Sequence, residues 1–322
     1  MFEYIRWICV HKDKLHRTVL SKCILFTCLM LLPVCQQQAS AQEGGIEVFA
    51  GETLFEAGTR GSITHIYKRK GSLLMGHNEI SDPQDGLYQE HRTVLSIDHG
   101  FKPDLTATLL FPYVEKSLDT VALGTQRASG IGDASVLLKY RVVDKGWKRS
   151  AFYVALIGGA ELPTGTTSER DAGVRLAPGL QPGSGSVDPF VAVSATLSLD
   201  RFRFDNTVFY KVNTEGSQDF DEGDFFSVSS SVAYRFLHTR YPGPTASVKV
   251  GLQYRHQGRD QISDVNVASS GSDELLARFG VTLHPKPAWD IKASVDVPVY
   301  QDVNGMQLAQ DVRLFFGLGL RF

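Results

Sequence analysis

Cysteine is missing from most of the chain. The four cysteines are Cys9, Cys23, Cys28 and Cys35, so none occurs after residue 35. The rest of the chain can form no disulfide and offers no thiolate to a metal ion. Its fold must therefore be stabilised by backbone pairing and packing alone.

Long apolar runs and an excess of positive charge are also missing after residue 41. No run there reaches the roughly 20 apolar residues that a membrane-spanning helix needs. The chain has 33 Lys and Arg against 35 Asp and Glu, and residues 1–41 hold five and two of these, which leaves 28 and 33 and a net charge of −5. This charge argues against nucleic acid as a partner, because its phosphates are bound by basic surfaces.

The first 41 residues have the order of a secretory signal peptide. A basic region from Arg6 to Lys22 precedes the apolar run CILFTCLMLLPVC at 23–35, and Ala39-Ser40-Ala41 supplies the small residues of a cleavage site. We predict a signal peptide over 1–41, cleavage near Ala41, and a single domain over 42–322.

The last ten residues show a period of two. Leu314, Phe316, Leu318, Leu320 and Phe322 are apolar, whereas most of the intervening positions are arginine or glycine. This period indicates a β-strand with one apolar face, and it recurs along the chain. It predicts about twelve strands, at 54–69, 91–101, 104–114, 132–143, 149–162, 188–199, 202–213, 225–236, 245–256, 274–284, 289–299 and 312–322.

The predicted connections alternate between short and long. The short ones are 102–103, 144–148, 200–201, 237–244 and 285–288; the long ones are 70–90, 115–131, 163–187, 213–224, 257–273 and 300–311. Such alternation is typical of a transmembrane barrel with short periplasmic turns and long extracellular loops. We therefore predict an all-β fold, a single antiparallel transmembrane β-barrel in a Gram-negative outer membrane. Outer-membrane lipids are its expected surroundings, and the barrel-assembly machinery is expected to recognise Phe322.

The polar positions of these strands face the lumen if the apolar ones face lipid. Their charges have both signs, with a basic excess that favours anionic or polar solutes. The same charges could instead pair and plug the lumen. The candidates for lining the lumen and selecting solutes are Asp133, Lys139, Arg141, Arg203, Asp205, Lys211, Arg235, Lys249, Arg255, Arg278, Lys292, Asp296 and Arg313.

No pattern of catalytic or metal-binding residues is recognisable. Most strand serines fall on the lumen face, and no serine and histidine pair is expected on the lipid face. His65, His77, His91 and His256 lack the spacing of metal ligands, and no nucleotide-binding motif occurs. We predict neither enzyme activity nor a cofactor or metal.

Two glycine-rich segments, GIGD at 130–133 and QPGSGSVD at 181–188, flank predicted long loops. They fit turns that need unusual backbone angles, or a loop that folds inward and narrows the pore. With LKYR at 138–141, LPTG at 162–165 and the terminal Phe322, they resemble the outer-membrane transporters of the phenol-degradation meta-pathway family.

The resemblance implies an outer-membrane barrel that passes small molecules, and no catalytic residues. We expect a channel for passive passage of small solutes, with aromatic or anionic molecules as candidates. Two alternatives stay open: a structural or binding barrel with a charge-plugged lumen, and an outer-membrane lipid-modifying enzyme.

Overall fold

The computed structural model describes residues 49–322, so the predicted signal peptide lies outside the described residues. Almost all regular structure in this range is strand. The strands are β1 (Thr59–Gly76), β2 (Asn78–Glu79), β3 (Leu87–Lys102), β4 (Leu105–Thr120), β5 (Gly124–Ile131), β6 (Ala134–Trp147), β7 (Ser150–Leu162), β8 (Arg170–Asp171), β9 (Val174–Arg175), β10 (Asp188–Leu199), β11 (Phe202–Lys211), β12 (Phe220–Asp221), β13 (Phe225–His238), β14 (Thr245–Gln257), β15 (Gln261–Ile262), β16 (Val265–Asn266), β17 (Ser272–His284) and β18 (Trp289–Arg321); two 3-10 turns span Pro178–Leu180 and Ser217–Asp219.

The long strands form one closed antiparallel sheet. Their order is β18-β17-β14-β13-β11-β10-β7-β6-β4-β3-β1, and β1 pairs with β18 to close the ring. Closure leaves no unpaired edge, as a sheet surrounded by lipid requires. The prediction of an all-β antiparallel barrel is confirmed.

The last element, β18, is a hairpin of two barrel strands. Its first part pairs with β17 as far as Val303, and its second part pairs with β1 from Met306 to Arg321. The Arg321 amide donates to the Ala288 carbonyl at 2.9 Å, so the two parts run side by side. Gly305, with φ of +67°, supplies the left-handed backbone at the bend. Eleven elements thus give twelve strand crossings, and the predicted long loop at 300–311 is wrong.

The two faces of each strand differ in exposure. Along β14, Val250 is 48% exposed and Leu252 52%, whereas Lys249 is 7% exposed and Gln253 2%. The apolar side chains therefore face outward, where lipid surrounds an outer-membrane barrel, and the polar ones face inward.

The short connections lie at the end of the barrel that holds Phe322, as predicted. One of them is Asp200-Arg201, where Asp200 has a φ of +54°, an angle that Asp tolerates better than most residues. At the opposite end the strands continue further than expected. The prediction of a loop over 115–131 is wrong, because β4 continues to Thr120 and pairs with β5 there.

Candidate solute pathway

The segment before β1 lies inside the barrel. The Phe49 amide and carbonyl bond to the Thr207 hydroxyl at 3.3 and 2.8 Å, and the Gly51 amide donates to the Thr196 hydroxyl at 2.9 Å. Nearer the Phe322 end, the Leu54 amide donates to the Thr106 hydroxyl at 2.8 Å. Inward-facing hydroxyls of the wall thus satisfy the polar backbone of residues 49–54, hereafter the inner segment.

A buried ion pair fixes the inner segment. The Arg203 guanidinium donates to both carboxylate oxygens of Glu52, at 2.6 and 2.7 Å, and its Nε donates to Asp205 at 2.8 Å. The Glu52 side chain is 2% exposed. Because a buried carboxylate is stable only when it is paired, Arg203 is the residue that allows Glu52 to occupy the lumen.

An apolar cluster inside the barrel receives Phe49. The Phe49 ring stacks on Phe209 with centroids 6.3 Å apart, and the Lys139 ammonium lies 5.7 Å from its centroid. The cluster also contains Val94, Leu110, Leu137, Ile157, Phe190, Ala192 and Phe225. The inner wall is therefore apolar at this level, which the expectation of a polar lumen did not include.

Gly51 shows how closely the inner segment follows the wall. A Cβ at this position would lie 2.8 Å from the Tyr153 carbonyl oxygen and 3.0 Å from the Thr196 amide nitrogen. Any larger residue would push the segment away from β7 and β10.

A cavity of about 850 Å³ occupies the other side of the lumen. It follows β1, β17 and β18, from Leu180 and Met306 at the loop end to Arg60 and Gly319 near the Phe322 end. Residues 49–55 do not line it. The lumen thus holds both the inner segment and this cavity, and Phe209 borders both.

The cavity lining is basic. It includes eleven Lys or Arg and seven Asp or Glu, a net charge of +4, in a chain whose overall net charge is −2. The wall also has apolar stretches, among them Ile66, Val94, Phe209 and Phe225. A solute with an anionic group and an apolar body matches both kinds of surface.

Two ion-pair clusters flank the path. Asp296 accepts from Arg278 at 2.6 Å and from Arg313 at 2.8 Å. Nearer the Phe322 end, Arg60 donates to Asp290 at 2.7 Å and to Asp98 at 3.2 Å. The Asp296 cluster has two guanidinium groups and one carboxylate and so leaves a positive charge beside the path, whereas Arg60 is compensated by two carboxylates.

The loop at 163–187 folds into the barrel. The Asp133 carboxylate accepts from the Gly165 amide at 2.8 Å, from the Ser184 amide at 2.5 Å and from the Ser184 hydroxyl at 2.8 Å. A Cβ on Gly165 would lie 2.8 Å from Gly183 Cα, so the glycines of the separate motifs pack against each other. Three of the motifs behind the family resemblance, at 130–133, 162–165 and 181–188, therefore meet around Asp133.

Two further side chains hold the same loop. Gln181 bonds with its amide group to the Leu176 carbonyl at 2.9 Å and to the Glu169 backbone. The Lys116 ammonium donates to the carbonyls of Gln181 at 2.7 Å and Gly179 at 3.0 Å. Residues 177–184 line the cavity. Of the two sequence-based interpretations of 181–188, inward folding therefore describes the loop, and turn geometry alone does not.

The structure distributes the thirteen sequence-predicted residues over several environments. Those that line the cavity are Asp133, Lys211, Lys249, Arg255, Arg278, Lys292 and Arg313. Asp296 lies behind them, and Lys139, Arg203 and Asp205 surround the inner segment. Arg141 pairs with Asp144 at 2.8 Å near the short turns, and Arg235 lies beside Arg201 at the same end. The last two do not line the cavity.

Sequence reasoning missed several residues of the path. Lys68, Glu90, Arg92 and Lys116 line its outer part. Lys68 lies one residue from the end of the predicted strand at 54–69, and the other three lie in or beside segments that were expected to be loops. Continuing the alternation of β3 and β4 beyond the predicted ends would have placed Glu90 and Lys116 on the lumen face.

Carboxyl groups also cluster in the extracellular loops. β12 pairs with β15, and burial raises the pKa of Asp221, as do the nearby Asp224 and Glu222 carboxylates. Burial also raises the pKa of Asp260.

Within 49–322, no group of three or more His, Cys, Asp or Glu is arranged to hold a metal ion. No helix in this range is long and apolar enough to cross a membrane.

Comparison with known proteins gives one family and a shared fold. The family model described as "Putative MetA-pathway of phenol degradation" matches residues 85–308. No curated protein matches the chain significantly. The COG4313 outer membrane channel from Pseudomonas putida F1 is 16% identical, with a TM-score of 0.65 over 87% of this chain and 100% of that chain.

Two other solved structures resemble the chain less. The β domain of the Bordetella autotransporter BrkA is 10% identical, with a TM-score of 0.46 over 83% of this chain and 100% of that chain. The CymD monoaromatic hydrocarbon channel is 10% identical, with a TM-score of 0.39 over 84% of this chain and 89% of that chain. These identities are low, and the P. putida structure supports a common outer-membrane barrel fold.

Proposed function

Because this chain belongs to the MetA-pathway phenol-degradation family and has an outer-membrane barrel fold, we propose that it is a channel for small organic anions. The net charge of +4 along the cavity is the observation that carries the proposal. Rings and rows of basic side chains favour anions in pores. Passage is passive, down the solute gradient.

The apolar part of the wall refines the solute class. Ile66, Val94, Leu110, Phe209 and Phe225 line the same cavity as the basic side chains. An aromatic or short-chain carboxylate would place its apolar body on these residues and its charge beside Lys or Arg. Such a molecule fits the proposal better than a sugar, which has neither feature.

Ion permeation in planar bilayers tests this function. With the purified mature chain and a gradient of KCl, we expect single-channel current and a reversal potential of the sign that anion selectivity gives. Vesicle swelling should be faster with potassium benzoate than with the potassium salt of a larger anion that has no apolar group. Cation selectivity, or swelling that does not depend on the charge of the solute, would contradict the proposal.

A charge-plugged barrel is the second candidate. It is favoured by the inner segment, whose Glu52–Arg203 pair closes one side of the lumen. A plugged barrel predicts no current in repeated insertions of folded protein. We do not propose catalysis, and hydrolysis of membrane lipid by the purified protein would contradict that choice.

The route to the membrane is also a proposal. We propose that residues 1–41 are removed as a signal peptide and that Phe322 engages the barrel-assembly machinery. A cleavage site near Ala41, seen by mass spectrometry of the mature protein, tests the first part. Loss of membrane insertion on deletion of Phe322 tests the second.

A further inference from the structure

Three lysines surround the outer part of the cavity. Two of them, Lys68 of β1 and Lys116 of β4, lie on either side of Glu90 of β3 as its direct cross-strand neighbours. Both lysines and Glu90 line the cavity. Lys70, the next inward-facing residue of β1, lines it as well. Four charged side chains thus share one small area of wall, and only one of them is acidic.

The carboxylate that lies between Lys68 and Lys116 in the strand register is already bonded. Glu90 accepts from Arg92 Nε at 2.9 Å and from the Tyr88 hydroxyl at 2.8 Å. Arg92 and Glu90 neutralise each other, so Glu90 does not compensate the charge of the neighbouring lysines. Of the other carboxylates near these lysines, Glu274 is bonded to Arg255 at 3.1 Å, whereas Glu222 and Asp260 line the outer cavity from the loops.

The lysines have few partners of their own. Lys68 and Lys70 have no carboxylate oxygen within 4.0 Å in the described part of the chain. Lys116 donates to two loop carbonyls, Gly179 and Gln181. Neutral carbonyls compensate an ammonium less than a carboxylate does, so all three lysines can accept an anionic ligand.

The same row of residues continues down the wall. Lys68 is opposite Arg313, Arg313 contacts Asp296, and Asp296 is opposite Arg278. Lys116 lies near the loop end of β4, whereas Arg278 lies in the middle of β17. Because barrel strands are tilted, a row perpendicular to them descends along the lumen, and here it connects the outer lysines with the inner arginines.

We infer that Lys68, Lys70 and Lys116 form a capture site for the carboxylate of an organic anion at the outer mouth. The apolar body of that anion would lie on Ile66, two residues before Lys68 on β1, and on Val94 of β3, which line the same cavity. The descending row then offers Arg313 and Arg278 as the next positive charges. This inference rests on the proposed function and names where its solute is selected.

The test is the saturation of benzoate current in planar bilayers. We compare the mature chain with the variant Lys68→Gln/Lys116→Gln and with the control Arg127→Gln/Arg259→Gln. The control removes the same charge from exposed residues of the loop end that do not line the cavity. Folding of each protein is checked by the electrophoretic shift of an unheated barrel.

We expect the benzoate concentration at half-maximal current to rise at least about tenfold in the lysine variant, since each lost charge-assisted bond contributes substantially to binding. The control should stay within twofold of the unmodified chain. If the half-saturating benzoate concentration of the lysine variant stayed within twofold of that of the unmodified chain, the capture site would be overturned, but the proposed channel function would not. Absence of anion current in the unmodified chain would instead overturn the proposed function.

Two further measurements separate anion binding from support of the loop. Lys68→Gln alone does not touch the loop carbonyls, and it should still raise the half-saturation concentration severalfold. Benzyl alcohol, which is uncharged, should permeate the double variant and the unmodified chain equally. An equal change for benzyl alcohol and benzoate would show that the lysines shape the loop. Inorganic phosphate saturating below benzoate would overturn the assignment to an organic carboxylate.

Discussion

Replacing Arg203 with Gln should release the inner segment from the lumen. Arg203 makes two bonds to Glu52, at 2.6 and 2.7 Å, and Glu52 is almost fully buried. Removing one partner of a buried ion pair costs about 3–5 kcal/mol, because the other charge is left uncompensated. That cost applies only while Glu52 stays inside the barrel, so it favours the state in which the segment has left.

The size of this effect can be stated as a population. Since 1.4 kcal/mol corresponds to a factor of ten, about 3–5 kcal/mol shifts the ratio of released to seated segment by roughly two to four orders of magnitude. The barrel wall pairs through its own backbone and should stay folded. We expect a higher open probability in single-channel recordings and faster protease cleavage within 49–54.

Glu52→Gln provides the graded control. It removes the buried carboxylate and leaves Arg203 bonded to Asp205, so its effect should be clearly smaller than that of Arg203→Gln. The reasoning would be refuted if Arg203→Gln, folded by its electrophoretic shift, kept the open probability and protease resistance of the unmodified chain. It would also be refuted if Glu52→Gln had the larger effect.

Three other changes test separate parts of the structure. Asp133→Ala leaves the amides of Gly165 and Ser184 without their acceptor, and each unsatisfied buried group costs about 1–3 kcal/mol. The loop at 163–187 should therefore loosen, which hydrogen exchange would show as faster amide exchange in that loop and not in β14. Val250→Arg places a charge on the lipid face and should lower the free energy of folding into the membrane by about 2–4 kcal/mol if residue 250 lies near the bilayer midplane. Folding titrations into vesicles measure this, and a substitution to Arg in an extracellular loop is the control. Acidification should strengthen the β12–β15 pairing: because burial raises the pKa of Asp221 in the folded loop, this stabilisation is complete below the ordinary pKa of about 3.9 and is lost as the pH rises through the raised value. Slower exchange of the Ile262 amide at pH 7 than at pH 4, after correction for intrinsic rates, would contradict it.

The barrel could be predicted from the sequence because its main signal is local. The alternation in β14 and in the last ten residues needs only neighbouring positions, and a period of two assigns each side chain to a face. The prediction failed at 300–311 for a related reason. Polar residues there suggested a loop, but above the membrane a hairpin can continue with polar side chains on both faces.

The inner segment could not be predicted in the same way. Phe49 bonds to a residue 158 positions away and Gly51 to one 145 positions away, and nothing near residue 50 indicates those partners. The apolar interior shows the same limit. Phe190, Phe209 and Phe225 each look like an isolated exception on a polar face, and only the strand order brings them together.

The seam between β1 and β18 has a consequence for biogenesis. The first barrel strand finds its second neighbour only in residues 306–321, so the cylinder cannot close until that segment is in place. Until then both margins of the nascent sheet expose unpaired backbone, which is prone to aggregate. Loss of residues 306–321 would remove the partner of β1 and leave two unpaired edges in an otherwise intact sheet, so these sixteen residues matter as much to the closed barrel as any strand in its middle.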